Sequence, residues 1–372
     1  MDGNVPLVID GSVMEGGGQI LRVAVACAVI SQRPVHVKNI RAGRSKPGLS
    51  NQHLTGILLS AELSKANLSG CTLGSTELKL TPMSAVHSGE YEADAKTAGY
   101  VQFRSISLLL QIAVPMLAYA SPTSKGDSLL CLKGGTDAQF APPVDYIKQV
   151  TFHYYAMMGL NCDLQIVRRG FYPQGGGLVK AKVQRLRAPL TPLRLLEAGS
   201  VSRVSGHAFV AGRVPIKVAH EMKQECLRYC SDTFPSVPVD IQVFREEDHR
   251  CVGNVSTFLF IVSTSNGCRL AVSGLGDPRG PRPAQLVREA MDRLARAVRL
   301  GACCDQNMQD QLILPMALAA GRSEFRTEPL TLHTKTAIYV VELMLPVKFS
   351  IVELADGAVI VGCDGVGYQQ AV

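Results

Sequence analysis

One order of elements recurs along this 372-residue chain and limits what it can fold into. Leu7-Val8-Ile9-Asp10 has the apolar, β-branched character of a short strand, Gly11 to Gly18 is a glycine-rich turn, and Gln19 to Ile30 is an apolar helix. Val35 to Ile40 alternates as a strand does, and a helix runs from Ser50 to about Ala66. Two strands follow, the second at Glu77 to Leu80. The order then returns: strand Glu90 to Ala93, helix Thr97 to Ala120, strand Ser128 to Leu132, helix Pro142 to Gly159, and a hairpin of Leu164 to Val167 with Val179 to Val183. Each unit reads β-α-β-α-β-β.

A third copy closes the chain, with helix Gln306 to Ala319, strand Phe325 to Leu330, helix Thr334 to Leu345, and strands Phe349 to Leu354 and Val359 to Cys363. Its first strand is not adjacent, so something is inserted ahead of it. The stretch 191 to 300 follows the run Ala188-Pro189-Leu190-Thr191-Pro192. It offers strands at Ser205 to Val210, Val239 to Phe244 and Phe258 to Ser263, and helices near Val218 to Cys230 and Pro283 to Leu300. The expected architecture is therefore α/β of the α+β type. Residues 1 to 190 and 301 to 372 would form a body of three βαβαββ units, and 191 to 300 an inserted smaller α/β domain.

Charge is spread unevenly over the chain. Between Glu15 and Glu62 there is no carboxylate, yet Arg22, Arg33, Lys38, Arg41, Arg44 and Lys46 all lie there. In the run Arg41-Ala42-Gly43-Arg44-Ser45-Lys46-Pro47-Gly48, Gly43, Pro47 and Gly48 break any regular element and leave a basic loop feeding a helix N-terminus. Guanidinium forks and free helical N–H groups both favour phosphate, so an anionic partner is expected. The eleven cysteines lack the paired spacing of a zinc site and read as free thiols of a reducing, intracellular compartment. The longest apolar segment, Ile106 to Ala120, holds Gln111 and Pro115 and is too short to span a bilayer, so no membrane partner is expected.

Three constellations carry candidate chemistry. Glu15-Gly16-Gly17-Gly18-Gln19 sits where a strand turns into a helix, and reads either as a tight structural turn or as a loop where backbone approaches phosphate and a carboxylate holds a cation. Asp310-Gln311 lies early in a helix, where a carboxylate complements the helix dipole. His333 opens a helix, as a cap, a surface residue or a nucleophile. The dipole there disfavours imidazolium, so a neutral ring is expected.

Together these residues resemble the RNA 3'-terminal phosphate cyclases, from about Leu7 to about Cys363. The resemblance rests on Glu15 to Arg22, Arg41 to Arg44 with Pro47-Gly48-Leu49 and Gln52-His53, Gly134-Gly135-Thr136-Asp137, Gly170-Phe171-Tyr172-Pro173, Asp310-Gln311, and His333 with Leu345-Pro346-Val347. It implies units like the C-terminal domain of translation initiation factor 3 and an ATP-dependent reaction on RNA with a 3'-phosphate end, without DNA-specific binding and in the nucleus. By that resemblance, the residue matched by His333 is adenylylated, and AMP then passes to the RNA phosphate, which closes to a 2',3'-cyclic phosphate. Glu15 would hold Mg²⁺ or Mn²⁺. Arg22, Arg41 and Arg44 would bind phosphate, while Gln52, His53 and Gln111 would line the site. Pro142 and Asn307, Asp310 and Gln311 would form the adenosine pocket. Asn307 stands where the family often has an aromatic residue, for which Phe140 is a candidate substitute. A cyclase-like branch acting in small ribosomal subunit assembly lacks the histidine, and an enolpyruvyl transferase fits the fold but not the His333 motif.

Overall fold

The computed structural model describes residues 5–95, 105–277 and 279–370. Its first sheet joins β1 (Leu7–Asp10), β2 (Val35–Lys38), β4 (Leu78–Thr81) and β3 (Asn67–Ser69), in that spatial order. β1 and β2 are parallel, and the remaining neighbours are antiparallel. The parallel pair needs a crossover, which α1 (Gly18–Ser31) supplies, while α2 (Asn51–Ser64) connects β2 to β3.

The second sheet repeats that order and sense with β5 (Glu90–Asp94), β6 (Ser128–Gly134), β8 (Gly177–Val183) and β7 (Cys162–Gly170). Its crossover is α3 (Ile106–Ala118); positions 97 to 104 of the expected helix lie outside the described residues. The helix expected from Pro142 starts later, as α4 (Val144–Tyr146), and passes through a π-helical turn at Ile147–Thr151 into α5 (Phe152–Met157). Pro143 stands at its N-cap with extended backbone, and the N–H of Val144 is taken by the Thr136 carbonyl.

The third sheet has the same order again: β9 (Arg194–Leu195), β15 (Ala320–Thr327), β17 (Val359–Val366) and β16 (Phe349–Glu353). β9 is the strand the sequence left unplaced, and it lies inside the 191 to 300 stretch assigned to the insert. Two residues are too few to show alternation, so the proline-rich run before them looks like the boundary. Between β9 and β15 come a fourth sheet and three helices, α6 (Lys217–Thr233), α7 (Pro283–Arg299) and α8 (Gln306–Leu318). The fourth sheet orders β11 (Val239–Arg245), β10 (Val201–Ala211), β13 (Val255–Thr264) and β14 (Arg269–Leu275). The short β12 (Cys251–Val252) leaves it and extends the second sheet alongside β7. α9 (Leu332–Met344) then connects β15 to β16.

α1 is apolar all round, with every residue from Val23 to Ile30 buried, as befits a helix enclosed by others. It packs against α2, α3 and α9. The N-termini of helices from the first and third sheets are thereby gathered at one end. All eleven cysteines are free thiols, and among the described residues no helix is long and apolar enough to cross a membrane.

Candidate active site

Three helix starts converge with no acidic residue in any first turn: α1 after Gly17, α2 after Ser50 and α9 after Thr331. None of these helices thus neutralises its own positive dipole end, which favours an anion between them. The glycine turn allows the approach. A Cβ on Gly17 would stand 2.2 Å from Glu15 Oε1, and one on Gly18 would stand 2.6 Å from His53 Nε2.

Glu15 is the hub of this cluster. Its Oε1 lies 3.2 Å from Arg44 Nη2, its Oε2 lies 3.4 Å from His333 Nδ1, and its backbone N–H donates to the Thr336 hydroxyl at 3.3 Å. The Oε2 atom is buried and, among the described residues, has no hydrogen-bond partner, so its contact with His333 is one of charge and proximity. Burial pushes the Glu15 carboxyl up, but His333, Arg22 and Arg44 together hold it below its ordinary range.

His333 is half-exposed at the second residue of α9, whose N-cap Thr331 accepts from the Thr334 N–H at 3.1 Å. The helix dipole, expected to favour a neutral imidazole at this helix start, is opposed by the neighbouring carboxylates. Glu15 raises the His333 pKa, with Asp310 adding to the effect and burial opposing it. Two carboxylates at short range outweigh a half-charge at the helix end. Their placement still leaves Nε2 on the ring's other side, since Nδ1 is the nitrogen turned to Glu15.

Arg22, half-buried on α1, donates to Gln19 Oε1 at 2.5 Å, while Gln19 Nε2 donates to Asp310 Oδ2 at 2.8 Å. Its buried Nε has no hydrogen-bond partner among the described residues. Burial lowers its pKa, opposed by Asp310 and Glu15. His53 Nδ1 accepts from the Ser50 N–H at 3.1 Å, so the ring proton is on Nε2, on the side of Gly18 and Arg22. Burial, with Arg22 and Arg41, pushes this imidazole down to about 3, and it stays neutral at working pH. Arg22, Gln52 and His53 line one small pocket between α1, α2 and α3. Arg41, at φ 55°, donates to the Gly48 carbonyl at 3.1 Å, and Arg44 is exposed beside Glu15.

Pro142, Asn307 and His333 line a second, larger cavity of about 860 Å³. Four residues that sequence reasoning missed form its opposite wall, namely Asn254, Thr257, Ser273 and Arg293. They come from β13, β14, α7 and the turn before β13, and no local motif marked them. Asp305, not Asp310, caps α8: its carboxylate accepts from the Asn307 N–H at 2.9 Å, from the Ala271 N–H at 2.8 Å and from the Tyr146 hydroxyl at 2.7 Å. It thus ties β14 and α4 to the helix start that carries Asn307.

Asp310, Gln311 and Gln111 were expected at the site and line neither pocket among the described residues. Gln311 is turned into the core, its Oε1 accepting from Thr151 at 3.0 Å and its Nε2 donating to the Asn307 carbonyl at 2.6 Å. It sits four residues after Asn307, where its amide closes on its own helix. Gln111 is half-buried on α3, and among the described residues it lines neither pocket. Gln309, fully buried, was also missed. It accepts from the Thr331 N–H at 3.1 Å and the Thr334 hydroxyl at 3.0 Å and so fixes the turn that presents His333.

Residues 13–351 match the family model described as RNA 3'-terminal phosphate cyclase. A Drosophila melanogaster protein named RNA 3'-terminal phosphate cyclase is 38% identical over 371 residues, covering 99% of each chain. A Dictyostelium discoideum protein with the same name qualified as probable is 36% identical over 370 residues, 97% of this chain and 83% of its own. One from Caldivirga maquilingensis is 37% identical over 339 residues, 91% of this chain and 92% of its own.

Proposed function

Because the chain belongs to the RNA 3'-terminal phosphate cyclase family, we propose that it converts an RNA 3'-phosphate to a 2',3'-cyclic phosphate with ATP, using His333 as nucleophile. The observation that carries this reading is the contact of His333 Nδ1 with Glu15 at 3.4 Å, among three helix starts and the guanidinium groups of Arg22 and Arg44. With Nδ1 held, Nε2 carries the attacking lone pair.

Nε2 bonds to the α-phosphorus of ATP as the bond to the bridging oxygen breaks, and pyrophosphate leaves with that electron pair. An oxygen of the RNA 3'-phosphate then displaces the imidazole, giving RNA-adenylate and freeing His333. The vicinal 2'-hydroxyl attacks the RNA phosphorus, AMP departs, and the hydroxyl proton passes to solvent. Arg22, whose Nε lacks a partner, and Arg44, exposed beside Glu15, would neutralise charge on the phosphates. His53, protonated on Nε2 alone, donates a hydrogen bond without adding charge.

The orphaned Oε2 of Glu15 fits one position of Mg²⁺ or Mn²⁺, with phosphate oxygens and water completing the shell. Among the described residues no group of three His, Cys, Asp or Glu would hold a metal by itself, which suits an ion brought in with the nucleotide. Such an ion, when bound, would draw off charge from the α-phosphate and pyrophosphate. The adenosine would occupy the cavity of Pro142 and Asn307, with Asp310 acting as the charge partner of Arg22.

Incubation with α-labelled ATP and a divalent ion should leave an acid-labile, alkali-stable label on the protein. A protein that takes up no label while cyclising RNA would overturn the histidine route. Glu15→Ala should slow labelling strongly and the cyclisation of preformed RNA-adenylate much less, since that step expels only AMP. Equal losses would make Glu15 an organiser of the pocket and not a ligand for the ion.

A further inference from the structure

The cavity that holds His333 has a mouth built differently from its floor. Floor residues such as Thr257 and Asp305 are 2% and 5% exposed, whereas Phe140 and Tyr172, which line the same cavity, are 88% and 61% exposed. Phe140 is also strained. It sits at φ 65°, where a bulky side chain is rarely found and glycine is the relaxed choice. Strain of this kind persists where the surroundings enforce it and gathers at ligand sites. Tyr172 follows Phe171, which is 1% exposed in a second apolar cluster with Phe209 and so anchors the loop. Arg293, exposed on α7, lines the cavity too.

We propose that Phe140 and Tyr172 form a stacking platform for the terminal base of the RNA, with Arg293 placed for a backbone phosphate, an assignment that rests on the cyclase reading above. ATP ends at its adenine and can be enclosed, but an RNA whose 3'-phosphate reaches His333 must leave through the mouth. Aromatic faces suit that role because every base has a π-face, so stacking accepts any terminal sequence. A guanidinium beside them matches phosphate bidentately.

The test uses a short 3'-phosphorylated RNA whose last base is 2-aminopurine, titrated with the full chain. Stacking should quench its fluorescence. Phe140→Gly and Tyr172→Ala should each weaken binding by about five- to a hundredfold and relieve the quench, and Phe140→Trp should restore both. Phe140→Gly should melt no lower than the parent, since glycine relieves the positive φ, which separates lost stacking from lost fold. Unchanged binding and quenching in both variants would overturn the platform. So would normal RNA binding with lost protein–AMP formation, which would assign the rings to the adenine of ATP. Protein–AMP formation by the parent, measured without RNA, tests the cyclase reading separately.

Discussion

Two charged clusters in this protein are built from the same residue types and come to opposite ends. Around Arg169, on β7, every direction is used: Nη1 and Nη2 grip Asp145 at 2.5 and 3.1 Å, Nε reaches Glu246 at 2.8 Å, and the guanidinium lies 4.5 Å from the centre of the Phe209 ring. Asp137 stands 3.9 Å away as a third carboxylate, and burial pushes it up to about 6. That cluster joins elements distant in sequence, and its guanidinium is fully engaged by protein groups. Around Glu15 the accounts stay open, because Glu15 Oε2 and Arg22 Nε are buried without hydrogen-bond partners. A buried polar atom without a partner is costly, and it persists where something else completes it. The satisfied cluster is a staple and the unsatisfied one a site. Net charge does not separate them, but leftover hydrogen-bonding capacity does.

Removing the proposed nucleophile tests that distinction most severely. His333→Asn should abolish protein–AMP formation while leaving the melting temperature nearly unchanged, because the side chain is half-exposed. A folded variant that still takes up the label would remove His333 from the chemistry.

The next contrast sets the two arginines against each other. Arg169→Met leaves three carboxylates buried around an apolar side chain and should lower stability by about 3–5 kcal/mol in a denaturant titration. Arg22→Met should lower it far less, about 1 kcal/mol for its hydrogen bond to Gln19, and yet slow protein–AMP formation by about a hundredfold or more. Equal stability losses would show that Arg22 is a staple as well.

At the open cluster, shape should matter beyond charge. Arg41→Lys and Arg44→Lys should each behave much like the alanine variants, about ten- to a hundredfold slower overall, because an ammonium keeps the charge and loses the fork. Near-normal rates in both would reduce the loop to a diffuse positive field.

The smallest expected effect is a shift in titration. Glu15 raises the pKa of His333, and His333 is the foremost of the groups that hold the Glu15 carboxyl down. The stability this pair contributes is present between the two folded values. It is lost as pH rises through the raised histidine pKa and as pH falls through the lowered carboxyl pKa. In metal-free Glu15→Gln the His333 ring, followed by NMR, should titrate at lower pH than in the parent. An unmoved ring would mean that Asp310 and the surroundings set its pKa.

Most of the body was legible in the sequence, since strands and helices of ordinary length leave period-2 and period-3.6 patterns that survive without tertiary contacts. The helices Gln306 to Leu318 and Pro283 to Arg299 came through within a residue of their observed ends. His333, Glu15 and the arginines were legible for a related reason: glycine turns, helix starts and a long run without carboxylates are local features. β9 was not, because two residues carry no period and their strand character comes only from pairing with β15. The direction in which the His333 pKa moves was decided by Glu15, 318 positions away in the chain, against the local pull of its own helix. The inward turn of Gln311 and the far wall of the cavity were likewise decided by packing, since Thr151, Asn254 and Arg293 reach the site only once the sheets are assembled. Local sequence determines which groups a backbone presents. Only the folded chain decides which of them face each other, and Coulomb and hydrogen-bond energies at 3 to 4 Å depend on that.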